Sequence, residues 1–325
     1  MAGRGSTSAE AARAPGAVAL VAILALLAGS GAAQDALYKY RGPDGEWIFA
    51  DRPPADDTEV EVRELARGEP RPEVVVTHHP LEDGGLELVA RNGYYAPVEL
   101  VLGIDEIENA LPLPPDQPLR FVLPARSENV ALFPLAPSSA GVQARIRYRY
   151  MWITGDPLTE HRPERPYRVP FAVAAAYPVS QAFPQTITHT TPDSRHAVDI
   201  SMPVGTDVHA ARGGVVFEVA STHFRGGVDP AVAPEANQVR ILHDDGTFAV
   251  YAHLNWNTIR VKPGDVVQRG QYIADSGNTG FTSGPHLHFA VLRNRGMGIE
   301  SLPVVFEGPS GTEVVPETGV ELTAW

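Results

Sequence analysis

The chain has 325 residues, enough for two domains of ordinary size and a small appendage. A formal net charge of −13, with no Lys/Arg run, excludes a general nucleic-acid-binding surface. The absence of cysteine excludes disulfides, thiolate ligands, a cysteine nucleophile and a cysteine lipid anchor, so any metal is left to His, Asp or Glu. With 30 Gly and 30 Pro and few long amphipathic periodicities, the chain is expected to be mainly β, built from short strands and turns.

Residues 1–33 read as a signal peptide. Arg4 and Arg13 give a positive start, Ala17 to Ala28 is an apolar run, and Gly31 and Ala33 supply small residues for cleavage after Ala33. The run is shorter than the roughly 20 apolar residues a membrane span needs, so no stable span is expected after cleavage, and the protein is expected to be periplasmic or secreted. Residues 34–66 read as a small β-hairpin domain: Tyr38-Lys39-Tyr40 and Trp47-Ile48-Phe49 flank a turn at Gly42-Pro43-Asp44-Gly45, ahead of Asp51-Arg52-Pro53-Pro54. This pattern resembles a small domain of unassigned function found near the N-terminus of exported bacterial proteins.

After a proline-containing linker at 67–72, the stretch 67–174 is expected to form a β-sandwich-like domain. Its strands are placed at 74–76, 86–90, 98–102, 119–123, 130–135, 142–150 and 167–173. Arg145, Arg147 and Arg149 alternate with Ile146, Tyr148 and Tyr150, the mark of one solvated face. His78, His79 and His161 are expected to be solvated.

From Tyr177 histidines, glycines and short apolar strands closely interleave. A strand from His286 to Leu292 places His286 and His288 on one face, roughly 7 Å apart, with Leu287 on the other. That spacing suits one metal ligand and one neighbouring proton-handling group. Asp199 stands between Val198 and Ile200, two residues that would face a core, so its carboxylate points to the opposite side, where a half-buried charge needs a partner. The stretch 208–220 reads as a strand pair kinked at Gly213-Gly214. A hairpin about Asp244-Asp245-Gly246 ends in Tyr251-Ala252-His253-Leu254.

The segments AVDISMPVGTDVHAARGGVV, YAHL and SGNTGFTSGPHLHFAV stand in this order between about Pro178 and Pro303. Together they resemble the lysostaphin-type (LytM-like) zinc metallopeptidases, which cleave peptide bonds in bacterial cell-wall peptidoglycan. The resemblance implies an antiparallel β metallopeptidase domain over 175–325, with Asp199 and His288 as Zn2+ ligands and His253 and His286 as the catalytic pair. The family's first histidine stands four residues before the aspartate, where this chain has Arg195. His189, returned to the site by a loop at 190–194, is taken as the first ligand, and His196 is the reserve. Three ligands leave a fourth tetrahedral position for water. The implied function is an exported zinc metalloendopeptidase hydrolysing peptidoglycan cross-link peptides. The alternatives are a catalytically inactive wall-binding or regulatory module of the same fold, and a peptidase acting on proteins. His243 is expected to be structural or solvated, His209 to lie on a strand surface and His223 in a loop without a ligand role. The Asn237 amide is a candidate to hydrogen-bond substrate or a loop backbone.

Overall fold

The computed structural model describes residues 2–7, 36–42, 47–50, 54, 58–64, 72–111 and 118–325. These fall into two compact units, Ala9–Arg71 and Met1–Ser8 with Pro72–Trp325. In the smaller unit Ala36–Arg41 is the middle of three antiparallel strands, between Trp47–Ala50 and Val60–Glu64. The hairpin expected from the aromatic runs is there. Its third strand, Val-Glu-Val-Arg-Glu, alternates apolar and charged residues and joins through Tyr38 opposite Val62. Of residues 1–33, only Ala2–Thr7 are described, as a strand antiparallel to Arg145–Thr154; the apolar run from Ala17 to Ala28 lies outside the described residues.

The larger unit is mainly β and has two principal cores. In the first, the sheet of Val74–Pro80, Leu86–Asn92 and Ser127–Leu135 shares a core with the sheet of Leu119–Leu123, Val98–Glu108 and Arg145–Thr154. Val76 and Leu88 from one sheet bury against Val98, Leu100, Leu102 and Tyr148 from the other, a sandwich of alternating inward residues. The solvated face of Arg145–Thr154 is as the alternation implies, with Arg145 paired to Glu108 and Arg147 to Glu106 on the adjoining strand. No strand forms at 167–173. Pro166 and Pro170 cannot donate to a ladder, and this segment instead runs extended along the second core. Tyr167 N–H donates to the Val305 carbonyl, and Tyr167, Val169 and Phe171 are buried there. Alternation marks such a stretch as half-buried without saying against which core.

The second core lies under one face of a nine-stranded sheet. Its central strands run in the order Gly214–Ala220, Gln238–Leu242, Phe248–Ala252, His286–Asn294, Val198–Ser201, Ala176–Gln181. Ile200, Leu287, Phe289 and Val291 are fully or almost fully buried on that face. Each large apolar side chain removed from water there contributes roughly 1.5–3 kcal/mol. The opposite face carries His286, His288, Ala290 and Leu292 in turn. Ala290 and Leu292 are covered together with Ala96 of the sandwich, which leaves the histidine end of the strand as the open end. Glu99, buried at 2% exposure, ties the two parts: its carboxylate accepts from Asn294 Nδ2 at 2.8 Å, Met297 N–H at 2.7 Å and Arg120 Nη1 at 2.9 Å. A buried carboxylate is tolerable because it is matched by these donors, and it fixes the far end of the strand that bears the histidines.

His243 illustrates a histidine that serves the fold. It is 3% exposed, its Nδ1 donates to the Gly213 carbonyl at 2.8 Å, and its ring lies 5.9 Å from that of Tyr167. Burial, with a smaller contribution from Arg212, pushes its pKa down to about 4, against the hydrogen bond to the Gly213 carbonyl and then the charges of Asp245 and Asp244. The unfolded chain therefore binds a proton near pH 6.5 that the folded chain refuses until about pH 4, so stability falls as pH drops through this window. The loss amounts to roughly 2–3 kcal/mol by pH 4.5. Denaturant midpoints of the wild type and His243→Gln at pH 7 and pH 4.5 check this: the wild type should lose more stability than the variant between the two pH values, and parallel losses would contradict it.

Candidate metal centre

The sheet register assembles the centre. Asp199 is directly opposite His288 in the antiparallel pair and Ser201 opposite His286, while Ala252 flanks His288 on its other side. Residues paired across a sheet share a face, so Asp199 and His288 meet while their neighbours Ile200 and Leu287 enter the core. His288 Nδ1 donates to Asp199 Oδ1 at 2.8 Å. His189, 5% exposed, brings Nε2 to 3.2 Å from Asp199 Oδ2. The loop after it turns back through hydrogen bonds from Ser194 and Arg195 N–H to the Thr191 carbonyl. His196 stands apart, its ring 4.7 Å from Phe183 and its N–H on Ser301 Oγ.

One ligand atom from each of His189, Asp199 and His288 lies within 4.8 Å of the others, and these three could hold a metal ion. Two ligands about 2.0–2.1 Å from a tetrahedral zinc stand roughly 3.3 Å apart, close to the 3.2 Å between His189 Nε2 and Asp199 Oδ2. Two imidazoles and a carboxylate suit Zn2+, and the set fits it. Burial acts to raise the Asp199 pKa, but the hydrogen bonds from His189 and His288, and then their charge, outweigh it and hold the carboxyl far below the usual carboxylate range.

His253 and His286 stand beside this cluster. Their rings are 4.5 Å apart, His253 lies 5.9 Å from the His288 ring, and His286 Nε2 is 3.8 Å from Asp199 Oδ1. His253 follows the end of its strand with φ 62°, a left-handed conformation uncommon outside glycine, of the kind found at functional sites. In both rings the tautomer is set by a backbone carbonyl, which can only accept. His253 Nδ1 donates to Thr279 at 2.7 Å and His286 Nδ1 to Gly284 at 2.8 Å, leaving each Nε2 as a lone-pair acceptor. Burial, then the neighbouring His286 and His288, push the His253 pKa down to about 3, so the ring is neutral near pH 7.

The glycine-rich approach brings Thr279 to His253. At Gly277 an added Cβ would meet the Asn255 backbone at 2.5 Å, and at Gly280, φ +79°, it would meet Ala236 at 2.6 Å. Thr279 Oγ1 accepts from Asn237 N–H and donates to the Leu254 carbonyl. The Asn237 amide itself is fully buried and bonds loop backbone, accepting from His223 N–H and donating to the His223 carbonyl. His223 and His209 are half-buried and outside the cluster; His209 Nδ1 donates to the Gly270 carbonyl. His161, expected to be solvated, is half-buried against the Tyr167 hydroxyl at 3.0 Å. His78 and His79 lie in the sandwich strand Val74–Pro80.

Two further contributors passed unnoticed in the sequence. Thr282 Oγ1 lies 3.3 Å from His286 Nδ1 and donates to the Gly284 carbonyl, and its place in the glycine-rich run was a usable signal. Gln181 donates from Nε2 to Asp199 Oδ2 at 2.8 Å, and no pattern marked it.

Residues 193–299, which contain Asp199, His253, His286 and His288, match the model of peptidase family M23. The chain carries an M23 peptidase domain. The match begins after His189 and Gln181 in the sequence, so neither residue lies within it. Two curated relatives of the M23 domain are the glycyl-glycine endopeptidase ALE-1 of Staphylococcus capitis and the peptidoglycan DD-endopeptidase ShyB of Vibrio cholerae. ALE-1 is 36% identical over 102 residues, covering 31% of this chain and 25% of that protein. ShyB is 35% identical over 130 residues, covering 37% of this chain and 28% of that protein. The chain thus spans about a quarter of the length of these relatives. The solved structure of lysostaphin from Staphylococcus simulans aligns at 32% identity over 36% of this chain and 43% of that one, with a TM-score of 0.28. Residues 24–74, upstream of the M23 domain, match a domain of unknown function, DUF4124. Among the described residues no helix is long and apolar enough to cross a membrane.

Proposed function

We propose that the protein is an exported zinc endopeptidase that hydrolyses peptide bonds in peptidoglycan cross-links. The observation that carries this reading is the convergence of His189, Asp199 and His288 beside two further imidazoles whose Nδ1 atoms are committed to backbone carbonyls. Both relatives named above are described as endopeptidases, one of them of peptidoglycan. His189, Asp199 and His288 would hold the zinc, which supplies Lewis acidity, lowering the pKa of water and polarising a peptide carbonyl. His253 and His286, each with a free Nε2, accept the proton of the attacking water and return it to the leaving amine. As imidazolium, either ring also stabilises developing negative charge on the carbonyl oxygen. A buried Asp199 carboxylate and neutral His253 suit work near neutral pH.

Digestion of purified peptidoglycan by the full chain, followed by separation of the released fragments, tests the reading. Cross-linked fragments should be converted to uncross-linked ones, the conversion should stop with a chelator, and zinc should restore it. A zinc-loaded protein that binds the wall and leaves the cross-links intact would instead be a binding module. Export through the leader at 1–33 predicts an exported protein whose N-terminus is Gln34, and a retained leader would contradict it.

A further inference from the structure

We propose that Gln181 is a positioning residue that couples the loop bearing His189 to the Asp199 carboxylate, so that both reach one metal ion together; this rests on the zinc reading above. Gln181 is 5% exposed. Its Nε2 donates to Asp199 Oδ2 at 2.8 Å and to Thr188 Oγ1 at 2.9 Å. Its Oε1 accepts from Thr188 N–H at 2.7 Å and from Ile187 N–H. Both donors and both acceptor positions of the amide are thus used. The orientation is dictated by the partners: a carboxylate can only accept and a backbone N–H can only donate, so a flipped amide would set oxygen against oxygen at one end and N–H against N–H at the other.

Gln181 reaches the site face only through a backbone irregularity. Val179 pairs with Ile200 and is buried in the core, and a regular strand would send Gln181, two residues on, to that same face. The register shifts between Val179 and Gln181, pairing Gln181 with Asp199 and turning its side chain over. Bulges re-aim side chains in this way next to functional sites. The device answers a need particular to this chain. Arg195 occupies the position four residues before Asp199 and is exposed, so the first imidazole comes from a loop ten residues upstream. A ligand on a loop is held less closely than one on a strand unless other groups fix it. Gln181 binds the residue immediately before His189 and the oxygen of Asp199 that faces His189 Nε2. Groups that orient metal ligands in this way typically change metal affinity by about 10–100-fold when removed.

The test is zinc affinity of the full chain, read by competition with a chromogenic chelator, together with the visible spectrum of the cobalt-substituted protein. Gln181→Met keeps the volume and removes all four hydrogen bonds. It should bind zinc about 10–100-fold more weakly and shift the cobalt spectrum, which a role confined to packing would leave alone. Gln181→Asn keeps an amide one methylene too short to reach both partners. It should weaken binding in the same direction, and it serves if the Met variant does not fold. A folded variant holding zinc within about twofold of wild type with an unchanged cobalt spectrum overturns the role of Gln181. A wild type that takes up no zinc overturns the metal reading itself, so the two failures are distinct.

Discussion

Replacing His253 or His286 by alanine should lower kcat on cross-linked peptidoglycan by about 10²–10⁴-fold, the usual contribution of a positioned acid or base, and leave about one zinc bound per chain. The split follows from geometry. Neither ring belongs to the three-residue cluster of ligand atoms, yet both abut it, with His286 Nε2 3.8 Å from Asp199 Oδ1 and the two rings 4.5 Å apart. Their hydrogen bonds from Nδ1 to the Thr279 and Gly284 carbonyls place the lone pair of the neutral ring on Nε2, where a base needs it, and unlike His209 and His243, which make the same kind of bond, both rings stand beside the ligand cluster. The measurement pairs turnover with metal content for each variant. A variant that loses its zinc along with its activity would make that histidine a ligand and displace it from proton transfer.

A larger loss is expected at Asp199. Its carboxylate accepts from His288 Nδ1 and Gln181 Nε2 and lies 3.2 Å from His189 Nε2. Asp199→Asn keeps the volume but removes the charge that draws a divalent cation and sets an N–H₂ group among donors. Metal content should fall from about one zinc per chain to near zero, and activity with it, whatever the zinc in the buffer up to millimolar order. Asp199→Ala adds a folding penalty of about 1–3 kcal/mol for each donor left buried without an acceptor, so the asparagine variant gives the cleaner reading. His189→Ala and His288→Ala should behave like Asp199→Asn, whereas His196→Ala, whose ring rests on Phe183, should keep its zinc. Zinc lost from His196→Ala and kept in His189→Ala would reverse the assignment of the first ligand.

Much of this arrangement was legible before any coordinates, because a strand's period of two is a local property. His286-Leu287-His288 and Val198-Asp199-Ile200 each declare which residues enter the core and which do not, and Leu287 and Ile200 are indeed fully buried. The register that sets Asp199 opposite His288 joins residues 89 apart in sequence, and no local pattern contains it. Gln181 escaped notice for the opposite reason: simple alternation assigns it to the core face of Val179, and one bulge reverses the assignment. The segment from Tyr167 to Phe171 alternates as a strand would, but Pro170 within it, Pro166 before it and its contacts with Val305 and Ala211 place it along the second core. His161, beside charged residues and prolines, reads as solvated, and only the folded chain brings the Tyr167 hydroxyl to it.

The most direct measurement is anomalous diffraction at the zinc edge from crystals of the zinc-loaded full chain. The account predicts one strong peak about 2.0–2.2 Å from His189 Nε2, an Asp199 carboxylate oxygen and His288 Nδ1, the metal displacing the protons that these two nitrogens otherwise share with Asp199, with His253 and His286 nearby but unbonded to it. A peak coordinated by His196 in place of His189, or a peak away from Asp199, would contradict it.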